Sequence, residues 1–388
     1  MYSVMNFKNS IAPTRQYQIC NKCVMDTSDL WIEFDDDGVC NHCKDFEHKY
    51  SLRVSSHLGN SSSLNSLFDD IRSRKKSKYD VLVGISGGTD SSYSIYLAAK
   101  AGLRVLAVHM DNGWDTASAL HNIYQLLKLP NVDYISYVLD WNKFRTIQRA
   151  FLESGVPDIE LPTDIAILKA QFLTARKFGI KSIITGGNVA NEGILPGSWM
   201  YNPRDMRYSE SILRSTGLSP SAFNFLRFGF RDEAYYRLFA GIKFYYPLDS
   251  ISYDKRLASN ELSKSIDWRP HRQKHSESIF TRFCQCIYQP ARHGFEYRRA
   301  HLSSDICMGK IQRDQAIELL KNQPLSDLER RQDIAFVASK LGYSAEQLCS
   351  IMSSPPTWYV DFKNRKSFLG LAYNVHRAIH FEPKLSNF

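Results

Sequence analysis

Two apolar, β-rich runs separated by one glycine-rich turn and one helix constrain this chain more than any other feature. Tyr79 to Ile85 (YDVLVGI) reads as a strand buried on both faces. SGGTDSS follows, then a helical stretch from Tyr93 to Lys100 that Gly102 ends, and then a second buried run, Leu103 to Met110 (LRVLAVHM). Strand, loop, helix and strand fit within 32 residues, so the two strands must lie parallel. Further alternation predicts helices over Thr116 to Leu129 and Asp164 to Phe178, and strands over Tyr134 to Leu139 and Lys181 to Thr185. The fold class is therefore α/β, a doubly wound parallel sheet, with ligands expected at the carboxyl ends of its strands.

The turn itself, Ser86, Gly87, Gly88, Thr89, Asp90, Ser91 and Ser92, joins a strand to a helix start. Glycines there let the backbone approach a ligand, and successive N–H groups at a helix N-terminus suit an anion, so a phosphate is expected. The turn is neither a Walker loop nor a dinucleotide GxGxxG. An Asp inside a phosphate cradle repels its ligand unless a divalent cation lies between, so Asp90 suggests Mg2+; the plainer reading of Asp90 is a helix cap.

Cys20-x-x-Cys23 and Cys40-x-x-Cys43, with 16 residues between the pairs, have the spacing of a tetrahedral four-thiolate zinc site. Four thiolates leave no open position for water, so a structural role is expected; free thiols or two redox pairs are the alternatives. Cys284, Cys286, Cys307 and Cys349 read as buried or partly buried small residues. Eight cysteines in 388 residues are too few for a disulfide scaffold, which suits a reducing compartment. A polar stretch, Ser51 to Ser66, closes the first region, a short helical pattern runs from Leu67 to Arg74, and from about Ile251 the pattern turns helical. Ser326 with Glu329 and Ser344 with Gln347 have capping-box spacing around Gly342. The expected organisation is a zinc module and linker over 1–66, the α/β domain over 67–250, and a mainly helical region over 251–388. Lys and Arg exceed Asp and Glu by nine, which favours anionic partners. No apolar run approaches the length of a membrane span and the start lacks a secretory core, so a cytoplasmic protein is expected, with no membrane partner.

SGGTDS after a strand resembles the pyrophosphate loop of the PP-loop ATP pyrophosphatase superfamily, whose members cleave ATP between its α and β phosphates. Around it, CNKCVMDTSD, GVCNHC, VHMDNGW, LPTDIAI, GGNVANEGILP, HSESIFTRF and RRAHLSS resemble, in order, segments of the N-acetyl sugar amidotransferases of bacterial surface-polysaccharide pathways. The resemblance runs from about residue 20 to 320. It departs at Cys284, where the family commonly carries an aromatic residue, and does not align from Arg207 to Tyr246.

The resemblance implies an adenine nucleotide alpha-hydrolase-like fold and an ATP-dependent conversion of a sugar acetamido group to an acetamidino group. The amide oxygen accepts AMP, pyrophosphate leaves, and ammonia displaces AMP, in lipopolysaccharide O-antigen or related glycan synthesis. Ser86 to Ser92 would hold the pyrophosphate and its magnesium, with His109, Met110 and Asp111 beside adenine or ribose. Gly186, Gly187 and Asn188 would form a second close-approach loop. Asp164 and Glu192 would bind metal, orient ammonia or touch substrate, and His275, Arg282, Arg298 and Arg299 would hold sugar carboxylate or phosphates. Against these stand plainer readings: turn glycines, a core histidine, a helix cap at Asp164, solvated surface arginines. No glutaminase signature is evident, so ammonia is expected from a partner glutaminase with a barrel-shaped subunit similar to the histidine-biosynthesis pair. The rival readings are a tRNA-thiolating PP-loop enzyme and a non-catalytic zinc and nucleotide scaffold; on the main reading no nucleic acid partner is expected.

Overall fold

The computed structural model describes residues 15–51, 62–271 and 276–380. Its centre is one sheet of five strands, β1 (Val81–Gly84), β2 (Val105–Asp111), β3 (Val132–Val138), β4 (Ser182–Ile184) and β5 (Lys243–Tyr245). They lie in the order β3-β2-β1-β4-β5 and every pairing is parallel, with Val81 opposite Val105 and Leu82 opposite Ile183. The order reverses beside β1, so the crevice of a doubly wound sheet opens at its carboxyl end.

Alternate residues of a strand face opposite sides, and the sheet shows this directly. Val81 and Val83 pack with Val105, Ala107 and Ile95 on one face. Leu82 packs with Leu106, Val108, Phe144 and Phe172 on the other. Helices Thr89–Lys100 and Ala117–Leu126 cover the first face; Trp141–Ser154 and Leu161–Lys177 cover the second. Burial on both faces explains the unbroken apolar runs of β1 and β2.

Local chemistry sets the helix ends. Thr116 accepts from the Ala119 N–H, and Asp140 accepts from the Lys143 N–H. Gly155, at φ 86°, ends Trp141–Ser154, a helix not anticipated from the sequence. The helix preceding β1 spans Ser62–Ser73, starting earlier than expected; residues 52–61 of the linker lie outside the described residues. Both capping boxes form, at Ser326 with Glu329 and at Ser344 with Gln347, and Gly342 is left-handed at φ 78°.

The tail does not stand apart from the sheet. Phe280, Phe283, Tyr288, Leu341, Leu348 and Met352 belong to the same buried cluster as Leu82 and Phe172. The four N-terminal cysteines and Phe46 pack with Trp199, Phe295, Tyr297 and Ala300. The buried clusters therefore run across the expected boundaries at residues 66 and 250, and helix Ser62–Ser73 spans the first of them. Among the described residues no helix is long and apolar enough to cross a membrane.

Candidate functional site

The Ser86 turn is shaped by close approach. Gly87 has φ 76°, and a Cβ there would lie 2.4 Å from the Ala119 carbonyl oxygen, so only glycine fits. Its own carbonyl is held by Asn122 Nδ2 at 3.0 Å and His271 Nε2 at 2.9 Å. Gly88 is the N-cap of Thr89–Lys100 and provides no side-chain cap, which leaves the helix N-terminus to an external anion. Ser86 Oγ accepts from the Gly88 N–H at 3.2 Å and lies 3.0 Å from Ser91 Oγ, which stiffens the turn. From β4, Gly186 packs so tightly that a Cβ would sit 2.8 Å from Asp90 C and Ser91 N.

A cavity of about 530 Å³ opens at the carboxyl ends of β1, β2 and β4. Ser86, Gly88, Thr89, Asp90, Ser91, His109, Met110, Asp164, Gly186, Gly187 and Glu192 all line it. The other residues expected here stand behind this surface. Gly87 is covered by Ala119, and buried Ser92 accepts from Trp268 Nε1. Asp111 accepts from the Gly113 N–H, while Asn188 caps the short helix Val189–Glu192 and donates to the Gly186 carbonyl.

His109 Nδ1 faces the Ile85 carbonyl at 2.9 Å and Nε2 faces Asp115 Oδ2 at 3.0 Å. Burial alone would depress this imidazole, but the Asp115 carboxylate outweighs it and the pKa is raised. Asp90 accepts from the Tyr253 hydroxyl, whose pKa burial and Asp90 together push far up. Tyr253 was invisible as a site residue in the sequence.

On the far side of the crevice the cavity collects carboxyls. Asp158 and Glu160 join the expected Asp164 and Glu192 in lining it. Asp158 is buried, and burial and then Asp164 raise its pKa well above the carboxylate range. Glu160 is pushed up to about 8, chiefly by burial, although Thr281 Oγ1 donates to it at 2.8 Å. Asp164 is pushed up to about 7 by burial, with Arg204 opposing and Glu192 adding to the rise. Asp164 is not the N-cap of its helix; that position is Glu160. Asp158 and Glu160 stand only a few residues before LPTD, and alternating acids in an apolar stretch (VPDIELP) were the signal for them.

Three of the arginines expected to hold substrate are engaged elsewhere. Arg282 forms a two-pronged pair with Asp333 at 2.7 and 2.6 Å. Arg298 pairs with Glu296 and reaches the Leu319 and Asn322 carbonyls. Arg299 pairs with Asp26 at 3.1 Å and donates to the Val24 carbonyl. None lines the cavity. His275 lies outside the described residues. Lys255, His271 and His301, which do line it, were not singled out in the sequence.

Cys20, Cys23, Cys40 and Cys43 are buried, with sulfurs within 4.8 Å of one another and individual separations of 3.6 to 3.9 Å. A tetrahedron of thiolates about 2.3 Å from zinc has edges of this size, so the cluster fits zinc. Backbone N–H groups of Lys22, Cys23 and Cys40 point at Cys20 Sγ, as suits a thiolate. Cys307 adds a fifth sulfur 4.0 Å from Cys43, a neighbour that sequence spacing could not reveal.

Residues 277–377 match the family model described as LPS biosynthesis protein WbpG-like, C-terminal domain, and residues 76–192 match that of the thiamine biosynthesis protein ThiI. No curated protein matches the sequence. Among solved structures, NMN synthetase from Francisella tularensis is similar over 76% of this chain and 96% of its own, at 13% identity and TM-score 0.32. The NH3-dependent NAD synthetase from Campylobacter jejuni, in complex with nitrate, is similar over 55% of this chain and 98% of its own, at 15% identity and TM-score 0.28. The sheet order, the loop geometry and the two matched segments carry the assignment. The chain joins a ThiI-like PP-loop segment over 76–192 to a WbpG-like C-terminal domain over 277–377.

Proposed function

We propose that the chain is an ATP-dependent amidotransferase that converts an acetamido group of a sugar or nucleotide sugar into an acetamidino group. One observation carries this reading: Thr281, Cys284, Gln285 and Gln289, all within the WbpG-like segment, line the same cavity as Ser86, Gly88, Thr89, Asp90 and Ser91. The part of the chain matched to surface-glycan proteins therefore faces the nucleotide loop directly. The sugar amide oxygen would attack the α-phosphate while the Gly87 turn and the uncapped helix hold the departing pyrophosphate. A magnesium ion held by Asp90 would neutralise phosphate charge there. His109, whose pKa Asp115 raises against burial, shares the same wall.

Ammonia then displaces AMP. Cys284 is the cysteine among the lining residues, and burial followed by Glu160 and Asp158 pushes its thiol well up, so it is no thiolate nucleophile for glutamine. This supports ammonia from a separate glutaminase, delivered through a barrel-shaped partner.

The test is mass spectrometry of acetamido sugars and nucleotide sugars incubated with ATP, magnesium and ammonium. The expected product has oxygen replaced by an imino group, together with AMP and pyrophosphate, and Asp90→Ala abolishes both while keeping fold and zinc. Undiminished turnover in that variant would overturn the assignment of the loop. The net charge of +9 favours a second reading, RNA thiolation by a PP-loop enzyme. ATP consumption only with tRNA, weakening steeply with salt, would favour it.

A further inference from the structure

A cavity whose one wall is built for phosphates gathers carboxyls on the other, and these need a cationic or donor-rich ligand. Asp158 and Glu160 come from the turn before helix Leu161–Lys177. Facing them is a helical run, Ile279–Phe283, Cys284–Tyr288 and Gln289–His293, whose middle turn is a π turn. A π turn re-aims side chains, and such turns recur at functional sites. Thr281 from this run donates to Glu160, and Gln289 Nε2 donates to the Pro157 carbonyl at 3.1 Å. Gln289 is 3% exposed and lines the cavity, yet its Oε1 has no hydrogen-bond partner among the described residues. The amide cannot be turned over to cure this, because the Pro157 carbonyl requires the nitrogen. A buried orphan acceptor beside carboxylates calls for a small ligand with several N–H donors. A metal ion fits less well: among the described residues only the four N-terminal cysteines bring three or more ligand groups close enough to hold one.

Resting on the function proposed above, we infer that ammonium docks between Asp158, Glu160 and Gln289, and that Glu160 takes its proton. Ammonium passes one proton to the Glu160 carboxylate, giving ammonia and a neutral carboxyl. The ammonia lone pair forms a C–N bond to the adenylylated imidate carbon, the C–O bond to AMP breaks, and AMP leaves with that oxygen. The remaining proton stays on the product as amidinium. Burial, with Asp164, Asp158 and Glu277, holds the Glu160 pKa up at about 8, so the ionised carboxylate that accepts the proton grows as pH rises toward and past that value.

The experiment uses the full chain with ammonium chloride as nitrogen source. Pyrophosphate release in the absence of ammonium reports sugar adenylylation; product formation against ammonium concentration reports the second step. Glu160→Gln and Gln289→Leu are expected to raise the KM for ammonium about tenfold or more. Raising the pH toward the ammonium pKa should restore the Glu160→Gln rate, because free ammonia then needs no base. Should Glu160→Gln fail to fold, Gln289→Leu decides alone. An unchanged ammonium KM, or a loss confined to pyrophosphate release and sugar KM, overturns the inference. Absence of pyrophosphate release by the wild-type chain with every acetamido sugar would instead overturn the function it rests on.

Discussion

His109 Nε2 lies 3.0 Å from Asp115 Oδ2 while its Nδ1 faces the Ile85 carbonyl, so both ring nitrogens meet acceptors. The doubly protonated ring satisfies both. Its folded pKa is raised, so the stabilisation is complete below the unfolded value and vanishes as pH climbs through the folded one. Asp115→Asn should therefore cost about 1.5–3 kcal/mol near pH 6 and much less near pH 9. Urea unfolding at the two pH values checks this, and an NMR titration should show the imidazole pKa falling in the variant.

Glu160 follows the same pH sign, losing stability as pH rises, although here burial rather than an opposite charge raises the pKa. Its folded pKa, about 8, lies above the ordinary 4.5, so ionisation opposes folding wherever the unfolded chain is ionised and the folded site is not. Burial is the first cause, and Asp164, Asp158 and Glu277 add to it. Glu160→Gln should stabilise the ligand-free protein by on the order of 1 kcal/mol or more around pH 8, and by almost nothing around pH 4. Equal denaturation midpoints for variant and wild type at the higher pH would contradict the buried placement.

Two glycines separate steric exclusion from backbone strain. Gly87 and Gly102 share φ near 77°, but a Cβ at Gly102 meets nothing within 4 Å, whereas at Gly87 it strikes the Ala119 backbone. Gly102→Ala should cost about 1–2 kcal/mol in stability with pyrophosphate release intact. Gly87→Ala should lose pyrophosphate release by about a hundredfold or more as the turn is displaced.

Arg282 and Asp333 predict a stability defect rather than a substrate defect. Asp333 is buried, and removing its partner strands a carboxylate. Arg282→Ala should destabilise the fold by about 3 kcal/mol and leave the sugar KM unchanged. A raised KM in a fully folded variant would restore the role that the sequence suggested.

The cysteine cluster should carry about one zinc per chain, measurable by elemental analysis. Cys23→Ser should lose it. Arg313 Nε lies 3.0 Å from both the Cys20 and Cys23 carbonyls, so faster amide exchange should appear around residue 313 as well as in the N-terminal turn. Protection unchanged near residue 313 would mean that the two regions are uncoupled.

What the sequence made legible was what local chemistry determines. YDVLVGI and LRVLAVHM are strands buried on both faces, and their unbroken apolar runs say so. The capping boxes at Ser326 and Ser344 are four-residue patterns and formed as expected. β5 is only Lys243–Tyr245, a three-residue edge strand with one buried residue, too short to show a period. Helix Trp141–Ser154 had its markers, Asp140 and Gly155, but lay between stronger signals. The arginines could not be read locally, because Arg282 finds Asp333 51 residues away. Tertiary burial likewise distinguishes Asp158 and Glu160 from ordinary turn acids.

The cysteine knuckle near the start of the chain is laced to helix Arg298–Cys307 and the segment after it. Ser303 Oγ accepts from the Val24 N–H, Arg299 reaches the Val24 carbonyl, and Arg313 spans two cysteine carbonyls. Front and rear must therefore be inherited together. A chimera joining this front to a relative's rear would leave those carbonyls unmatched, so recombination between distant kin should succeed only when both termini cross over as a pair.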